Sequence, residues 1–414
     1  MEDHSAFNMP TGPIRFPFPM QYLGSKARIA GWIIHSIQDW KPDTNHLLDI
    51  MAGSGAVSHA AHLANMKICA NDLQPYAARV LRAAFLSDRS GVLAAIKELE
   101  SGNVLQRHLN RSSRDFRVDI ELEKTQLDAL RSTGDWRTYF DYWSQAAGDP
   151  YAASHNFDLM FNYYSNTYFG VRQSIEIDAL RRFADSLDED TKTIVEAGTI
   201  SAMASLASTT THLAQFLKPM SERRATAIAA RRTKSLISWV INCLASIVDY
   251  PRNSGDQVLE GDYRQVFHCV DFRPDSTVLY ADPPYFKEHY SRYYHVLDTF
   301  VLYDYPELTW NSRLNSPTVG RYREERLKSN FGLRSRVASE FQALFDHSLE
   351  YGLSVALSYA STSLLSEEDI RDIAVTSGFD VSLNEIGLSH SGQGQRATRR
   401  EVVEYLFLMK PKGM

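Results

Sequence analysis

The chain has 414 residues, 44% hydrophobic and 23% charged, enough for a sizeable core and for two domains or one domain with a large insertion. It contains no apolar run near the roughly 18–20 residues that span a membrane and no signal-peptide core in residues 1–20. Cys69, Cys243 and Cys269 lack metal or disulfide spacing, which fits a reducing cytoplasm. The net charge of −6 counts against a small basic nucleic-acid module, so only a local concentration of charge could serve such a partner.

Residues 1–19 are rich in Pro and Phe and read as an extended arm. A turn, Gln21-Tyr22-Leu23-Gly24-Ser25-Lys26, leads into an amphipathic helix around 27–38. The apolar strand Leu47-Leu48-Asp49-Ile50 runs into Met51-Ala52-Gly53-Ser54-Gly55-Ala56. A helix over 57–65 and a strand over 66–70 follow, ending in Asn71-Asp72. This β-loop-α-β unit, with an acid about 20 residues past its glycines, is the layout of a nucleotide-binding half-sheet.

Residues 75–255 are dominated by helical patterns. Ser221 is positioned to cap one long helix running to about 248, and Asp149-Pro150 and 251–255 are breaker clusters. Next come Gln257-Val258-Leu259-Glu260, then Gly261-Asp262-Tyr263, then the apolar run Val278-Leu279-Tyr280-Ala281 before Asp282-Pro283-Pro284-Tyr285. A basic, loop-rich stretch covers 310–336. The remainder predicts a helix over 337–350, a strand over 353–359, a helix over 366–377 and an antiparallel pair over 380–388 and 401–409. The fold class is therefore α/β. Residues 1–75 and 255–414 form the sheet domain, and 76–254 a large, mostly helical insertion.

Asp282-Pro283-Pro284-Tyr285 carries the strongest chemical signal. Two prolines cannot continue a ladder, so the strand ends there and offers an acid, a free carbonyl and an aromatic face. The Asp282 carboxylate and the Pro283 carbonyl can each accept one N–H of an exocyclic amino group, directing its lone pair at an electrophilic methyl. Tyr285 can stack on the base, worth roughly 1–3 kcal/mol. Such a base must leave the duplex. Gly53 and Gly55 allow close approach to a ligand, and Asp72 can accept the ribose hydroxyls of an adenosine cofactor.

These residues resemble the Dam-like, alpha-group DNA adenine-N6 methyltransferases, and they occur in that family's order. Tyr22-Leu23-Gly24-Ser25-Lys26 is similar to its N-terminal Tyr-x-Gly-Gly-Lys motif. Asp49 to Gly55 is similar to its Asp-x-Phe-Ala-Gly-Ser-Gly loop, with Met51 in place of Phe. Asn71-Asp72 resembles its ribose-binding acid, and Gly261-Asp262-Tyr263 its Gly-Asp-Phe element beside the cofactor's adenine.

The resemblance implies a Rossmann-like methyltransferase sheet with a C-terminal antiparallel strand pair, and S-adenosylmethionine as cofactor. It implies a cofactor site of Tyr22, Gly24, Lys26, Asp49, Met51, Ala52, Gly53, Gly55, Asp72, Asp262 and Tyr263, with Asp282 to Tyr285 catalytic and no metal. The helical insertion stands where the family places target recognition. Cytosine-N4 chemistry, an RNA substrate, or a silent DNA-binding subunit are the alternatives. Cytosine-C5 chemistry is excluded, because no cysteine stands where a nucleophile is needed.

DNA is the implied partner, with a cognate restriction endonuclease as a possible second. Basic clusters offer phosphate contacts: Arg223, Arg224, Arg231, Arg232 and Lys234 in one, and Arg321, Arg323 and Arg326 in another. Arg107, Arg111 and Arg114 form a smaller group. The run Phe157, Phe161, Tyr163, Tyr164, Tyr168 and Phe169 reads as core. The polar aromatic stretch from His289 to His295 is expected to be a mobile loop closing over the flipped base.

Overall fold

The computed structural model describes residues 16–145, 148–210, 212–284, 290–313, 315–390 and 400–413. In chain order the strands are β1 (His46–Asp49), β2 (Lys67–Asp72), β3 (Gln257–Glu260), β4 (Thr277–Ala281), the two-residue β5 (Trp310–Asn311) and β6 (Ser316–Pro317), β7 (Ser354–Ala360), β8 (Phe379–His390) and β9 (Arg400–Pro411). Seven of them form one sheet in the order β3-β2-β1-β4-β7-β9-β8. The pairs from β3 to β7 are parallel. β9 runs antiparallel to both β7 and β8.

β1, β4 and β7 are buried along their whole length, as strands covered on both faces must be. Alternate residues supply two cores. Leu47, Ile68, Val278 and Leu406 face one side. Leu48, Cys69, Leu279 and Phe407 face the other. Helices Ala30–Trp40, Ala56–Leu63 and Pro75–Phe85 lie on the first side, and Val337–Glu350 and Glu367–Ser377 on the second. Ser366 caps the last of these reciprocally with Asp369, worth about 1 kcal/mol.

The chain between β2 and β3 is helical among its described residues. Helix Glu189–Leu206 packs on Pro75–Phe85 and Leu236–Ile247. Its Ile194 and Ile200 join the same apolar core as Leu47 and Ile68 of the sheet. No described helix is long and apolar enough to cross a membrane.

Two expectations are corrected. The helix starting at Ser221 is not continuous: Glu222–Arg232 and Leu236–Ile247 are separate. Ser235 Oγ accepts the Ser238 N–H, and the buried Glu176 carboxylate takes the Leu236 N–H at 2.7 Å. That second start is capped as well as the first, so the chain breaks between them. Likewise, 290–302 is a helix rather than a mobile loop. Tyr294 and His295 are fully buried because Tyr294 packs against both Tyr22 and Tyr76. His289 and the residues from 285 lie outside the described residues.

The strand order reverses between β1 and β4. In open α/β sheets that crevice, at the carboxyl ends of the strands, is where ligands sit.

Candidate active site

β1 ends at Asp49 and the chain turns through Gly53 (φ 52°) and Gly55 (φ 73°) into the next helix. A Cβ on Gly53 would stand 2.8 Å from Tyr22 Oη, and one on Gly55 2.8 Å from Leu81 Cδ2. Only glycine meets both the left-handed backbone and the close approach. At the tip of β2, Asp72 Oδ2 accepts the Gly53 N–H at 2.7 Å and Oδ1 the Gln74 N–H at 2.8 Å. Burial pushes the Asp72 carboxyl up to about 6, against the pull of those two bonds. Burial likewise pushes Asp49 up to about 7, although Ser58 Oγ donates to it at 2.6 Å. Asn71 Nδ2 ties the loops together through the carbonyls of Ile50 (3.0 Å) and Gly261 (3.1 Å).

β4 delivers Asp282 to the same crevice. Lys26 Nζ donates to both carboxylate oxygens at 2.7 Å and lies 3.4 Å from Glu404 Oε1 on β9. One ammonium thus orients the acid and offsets two negative charges, with few degrees of freedom left to it because Lys26 is buried. The turn that carries Lys26 is held from below. Tyr22 stacks on Tyr294 at 5.1 Å, and the Leu23 N–H donates to Tyr294 Oη at 2.7 Å.

Tyr22, Gly24, Lys26, Asp49, Met51, Ala52, Gly53, Asp72, Asp262, Tyr263, Asp282 and Pro284 line one cleft that opens to solvent. Gly55 caps the helix Ala56–Leu63 instead of lining it, Pro283 is buried, and Tyr285 lies outside the described residues. Sequence reasoning missed Leu73, Gln74, residues 327–330, Gly332 and Glu340, which also line it. Gln74 was within reach, two residues past Asp72 and just before a helix-starting proline. Glu340 was not, since nothing local sets it apart from other helical acids.

Inside the cleft, Asp49 Oδ1, Asn71 Oδ1 and Gln74 Oε1 are buried with no hydrogen-bond partner among the described residues. Buried acceptors without donors cost roughly 1–3 kcal/mol each. Three in one crevice suit a ligand rich in N–H and O–H groups.

The basic clusters divide. Arg232 is fully buried, with its guanidinium on Asn166 Oδ1 and on Tyr139 Oη at 3.2 Å. Arg231 donates to the carbonyls of Ala207 (3.0 Å) and Thr209. Arg321 donates to the carbonyls of Gly148 (2.8 Å), Asn162 (3.2 Å) and Tyr163. Arg323 grips both oxygens of Asp304 at 2.7 and 2.6 Å. These four are internal braces, not phosphate contacts. Arg326 sits 5.3 Å over the Tyr322 ring. Arg223, Arg224 and Lys234 are exposed. Phe161, Tyr163, Tyr164, Tyr168 and Phe169 of the aromatic run are buried as expected, while Phe157 is only half-buried.

The sheet order, the glycine turn after β1, the buried acid ending β2 and Asp282-Pro283-Pro284 ending β4 together define a Rossmann-like methyltransferase fold. Comparison with known families sharpens this: the model for D12 class N6 adenine-specific DNA methyltransferases matches residues 22–316. The chain belongs to that family and is an enzyme acting on DNA adenine. Two relatives are the Type II methyltransferase M.NlaIII of Neisseria lactamica and the Type II methyltransferase M.FokI of Planomicrobium okeanokoites. The first is 22% identical over 364 residues, covering 86% of this chain and 87% of that protein. The second is 35% identical over 101 residues, 24% of this chain and 14% of that protein.

Proposed function

We propose that the enzyme uses S-adenosylmethionine to methylate N6 of an adenine rotated out of duplex DNA, at a fixed recognition sequence. We further propose that it does so as the modification partner of a restriction endonuclease, in the cytoplasm. The observation that carries the site reading is the Lys26–Asp282 pair held at one cleft with three partnerless buried acceptors.

The donor set fits the cofactor. Its ammonium, ribose hydroxyls and exocyclic amine would answer Asp49, Asn71, Gln74 and Asp72, with Asp262 and Tyr263 lining the adenine end. When bound it supplies a methyl on a sulfonium, an electrophile that needs no metal. Lys26 holds the Asp282 carboxylate by one lone pair on each oxygen, which leaves others to accept an N6–H bond. The Pro283 carbonyl accepts the second N6–H, so the nitrogen lone pair points along the cleft. Tyr285 is assigned the stacking role on the extruded ring, and the base, once seated in the cleft, displaces water from the reacting atoms. Arg223, Arg224 and Lys234, exposed on one stretch of the helical insertion, neutralise phosphates.

Asp282→Ala should bind the cofactor normally while methyl transfer to genomic DNA falls roughly 10²–10³-fold or more. Labelled-methyl incorporation and sequencing for N6-methyladenine read this directly. Undiminished transfer in that variant, or label found only in cytosine, RNA or protein, would overturn the reading.

A further inference from the structure

Residues 327–332 cross the mouth of the cleft between two anchors. On one side the preceding segment is fastened to the helical insertion. Arg321 holds three of its backbone carbonyls and Tyr322 Oη donates to its Ala214 carbonyl at 2.6 Å, while Arg323 holds Asp304, just past the helix over 290–302. On the other side Phe331 is buried between Tyr263, at 5.8 Å, and Phe341, at 5.1 Å. The span itself lines the cleft through Leu327, Lys328, Ser329, Asn330 and Gly332. Leu327 is 43% exposed and borders the cleft.

One buried carboxylate fastens this span to the neighbouring Asp262-Tyr263 turn. Glu340, on helix Val337–Glu350, is 7% exposed and lines the cleft. Its Oε2 accepts Asn330 Nδ2 at 3.2 Å and its Oε1 accepts Arg264 Nη2 at 2.6 Å. Arg264 Nη1 in turn reaches both oxygens of Asp262, at 3.1 and 3.2 Å. Asp262 and Tyr263 line the same cleft.

We propose that residues 327–332 are the outer wall of the methyl-donor site and that Glu340 and Asn330 are positioning residues for the adenosyl half of the donor. This rests on the methyl-donor reading of the cleft and deepens it. Glu340 touches neither reacting atom. It ties the span to the adjoining Asp262-Tyr263 turn as one continuous wall, so the span swings away from a bound donor or its product only when the Asn330–Glu340–Arg264 bridge opens. The bridge should therefore slow dissociation more than it speeds association.

The test is binding of S-adenosylhomocysteine, the demethylated product, to the full-length protein without DNA, by calorimetry and by dissociation rate. Glu340→Ala should raise Kd about tenfold, nearly all of it in faster dissociation. Glu340→Gln keeps an oxygen for one partner and loses the charge for Arg264, so about threefold is expected, a partial rescue. Leu327→Ala alters an exposed side chain that folding does not depend on, and should speed dissociation about twofold. DNA affinity without ligand should be unchanged in all three. If Glu340→Ala does not fold, Asn330→Ala and Leu327→Ala decide the matter. Equal dissociation rates in wild type and every folded variant would overturn the wall alone. No binding by the wild type would overturn the methyl-donor reading and the wall with it.

Discussion

The carboxyl edge of the sheet and the helical insertion use charge in opposite ways. At the sheet edge, Lys26, Asp282, Asp72 and Glu340 are held by partners yet line an open cleft. In the insertion, charges disappear into the interior as clamps between helices. Glu123 accepts the Val171 and Arg172 N–H groups, each at 2.8 Å, at the start of helix Val171–Ala184. Asp178 accepts those of Met160 and Phe161 at 2.9 Å, at the start of Leu159–Tyr164. Glu176 does the same for Leu236–Ile247. A helix start carries unpaired N–H groups and a partial positive charge, so a buried carboxylate from a neighbouring helix satisfies both. Buried arginines do the converse, collecting carbonyls that helix and loop ends leave over. The lesson is that a cluster of basic residues says little about DNA until the number of carbonyls needing donors is known.

The largest test of that contrast is Arg321→Ala against Arg223→Ala, two arginines from clusters of similar composition. Removing Arg321 leaves three backbone carbonyls without their donor. It should cost about 3 kcal/mol in denaturant unfolding. Arg223 is exposed, and its loss should stay within about 0.5 kcal/mol. Similar losses in the two variants would erase the distinction between brace and surface charge.

A smaller effect probes the surface side. Arg223→Ala combined with Arg224→Ala should weaken DNA binding at any sequence. It should also reduce the slope of log affinity against log salt by about two. Stability and product binding should not change. An unaltered salt slope would remove these two residues from the DNA face.

The same contrast explains what the sequence made legible. The catalytic edge was readable because each part is contiguous: a strand, then the two or three residues at its tip. Helix Val337–Glu350 and the pairing of β8 with β9 were readable from the periodicity of their apolar residues. The break at residues 233–235 was not, because the Glu176 carboxylate that caps Leu236 is 60 residues away in sequence. The fate of Arg232 depends on Asn166 and Tyr139, both distant in the chain. The helix over 290–302 looked too polar for core. Its Tyr294 finds Tyr22, and His295 places its ring nitrogens near the carbonyls of Arg292 and Gly320. Residues 327–330 line the cleft beside Glu340, which meets Asn330 and Arg264 across the chain, and no local pattern announces that meeting.

The last predicted effect is one of pH, and it separates the two uses of charge at a single residue. Burial raises the Asp72 carboxyl from 3.8 to about 6, so over that window the folded protein holds a proton that the unfolded chain has lost. Stability supplied by that proton is present below about pH 4 and is lost as pH rises to about 6. Ligand binding should run the other way. Ribose hydroxyls donating to Asp72 favour its ionised form, so S-adenosylhomocysteine affinity should rise roughly tenfold between about pH 5 and pH 7 on its account. Asp49, pushed up to about 7 in the same cleft, extends the rise at its upper end. In Asp72→Asn the lower part of the rise should flatten while the Asp49 part persists. Calorimetric titrations across that range measure both, and a lower part of the rise that is the same in Asp72→Asn as in the wild type would mean that Asp72 serves the glycine turn alone.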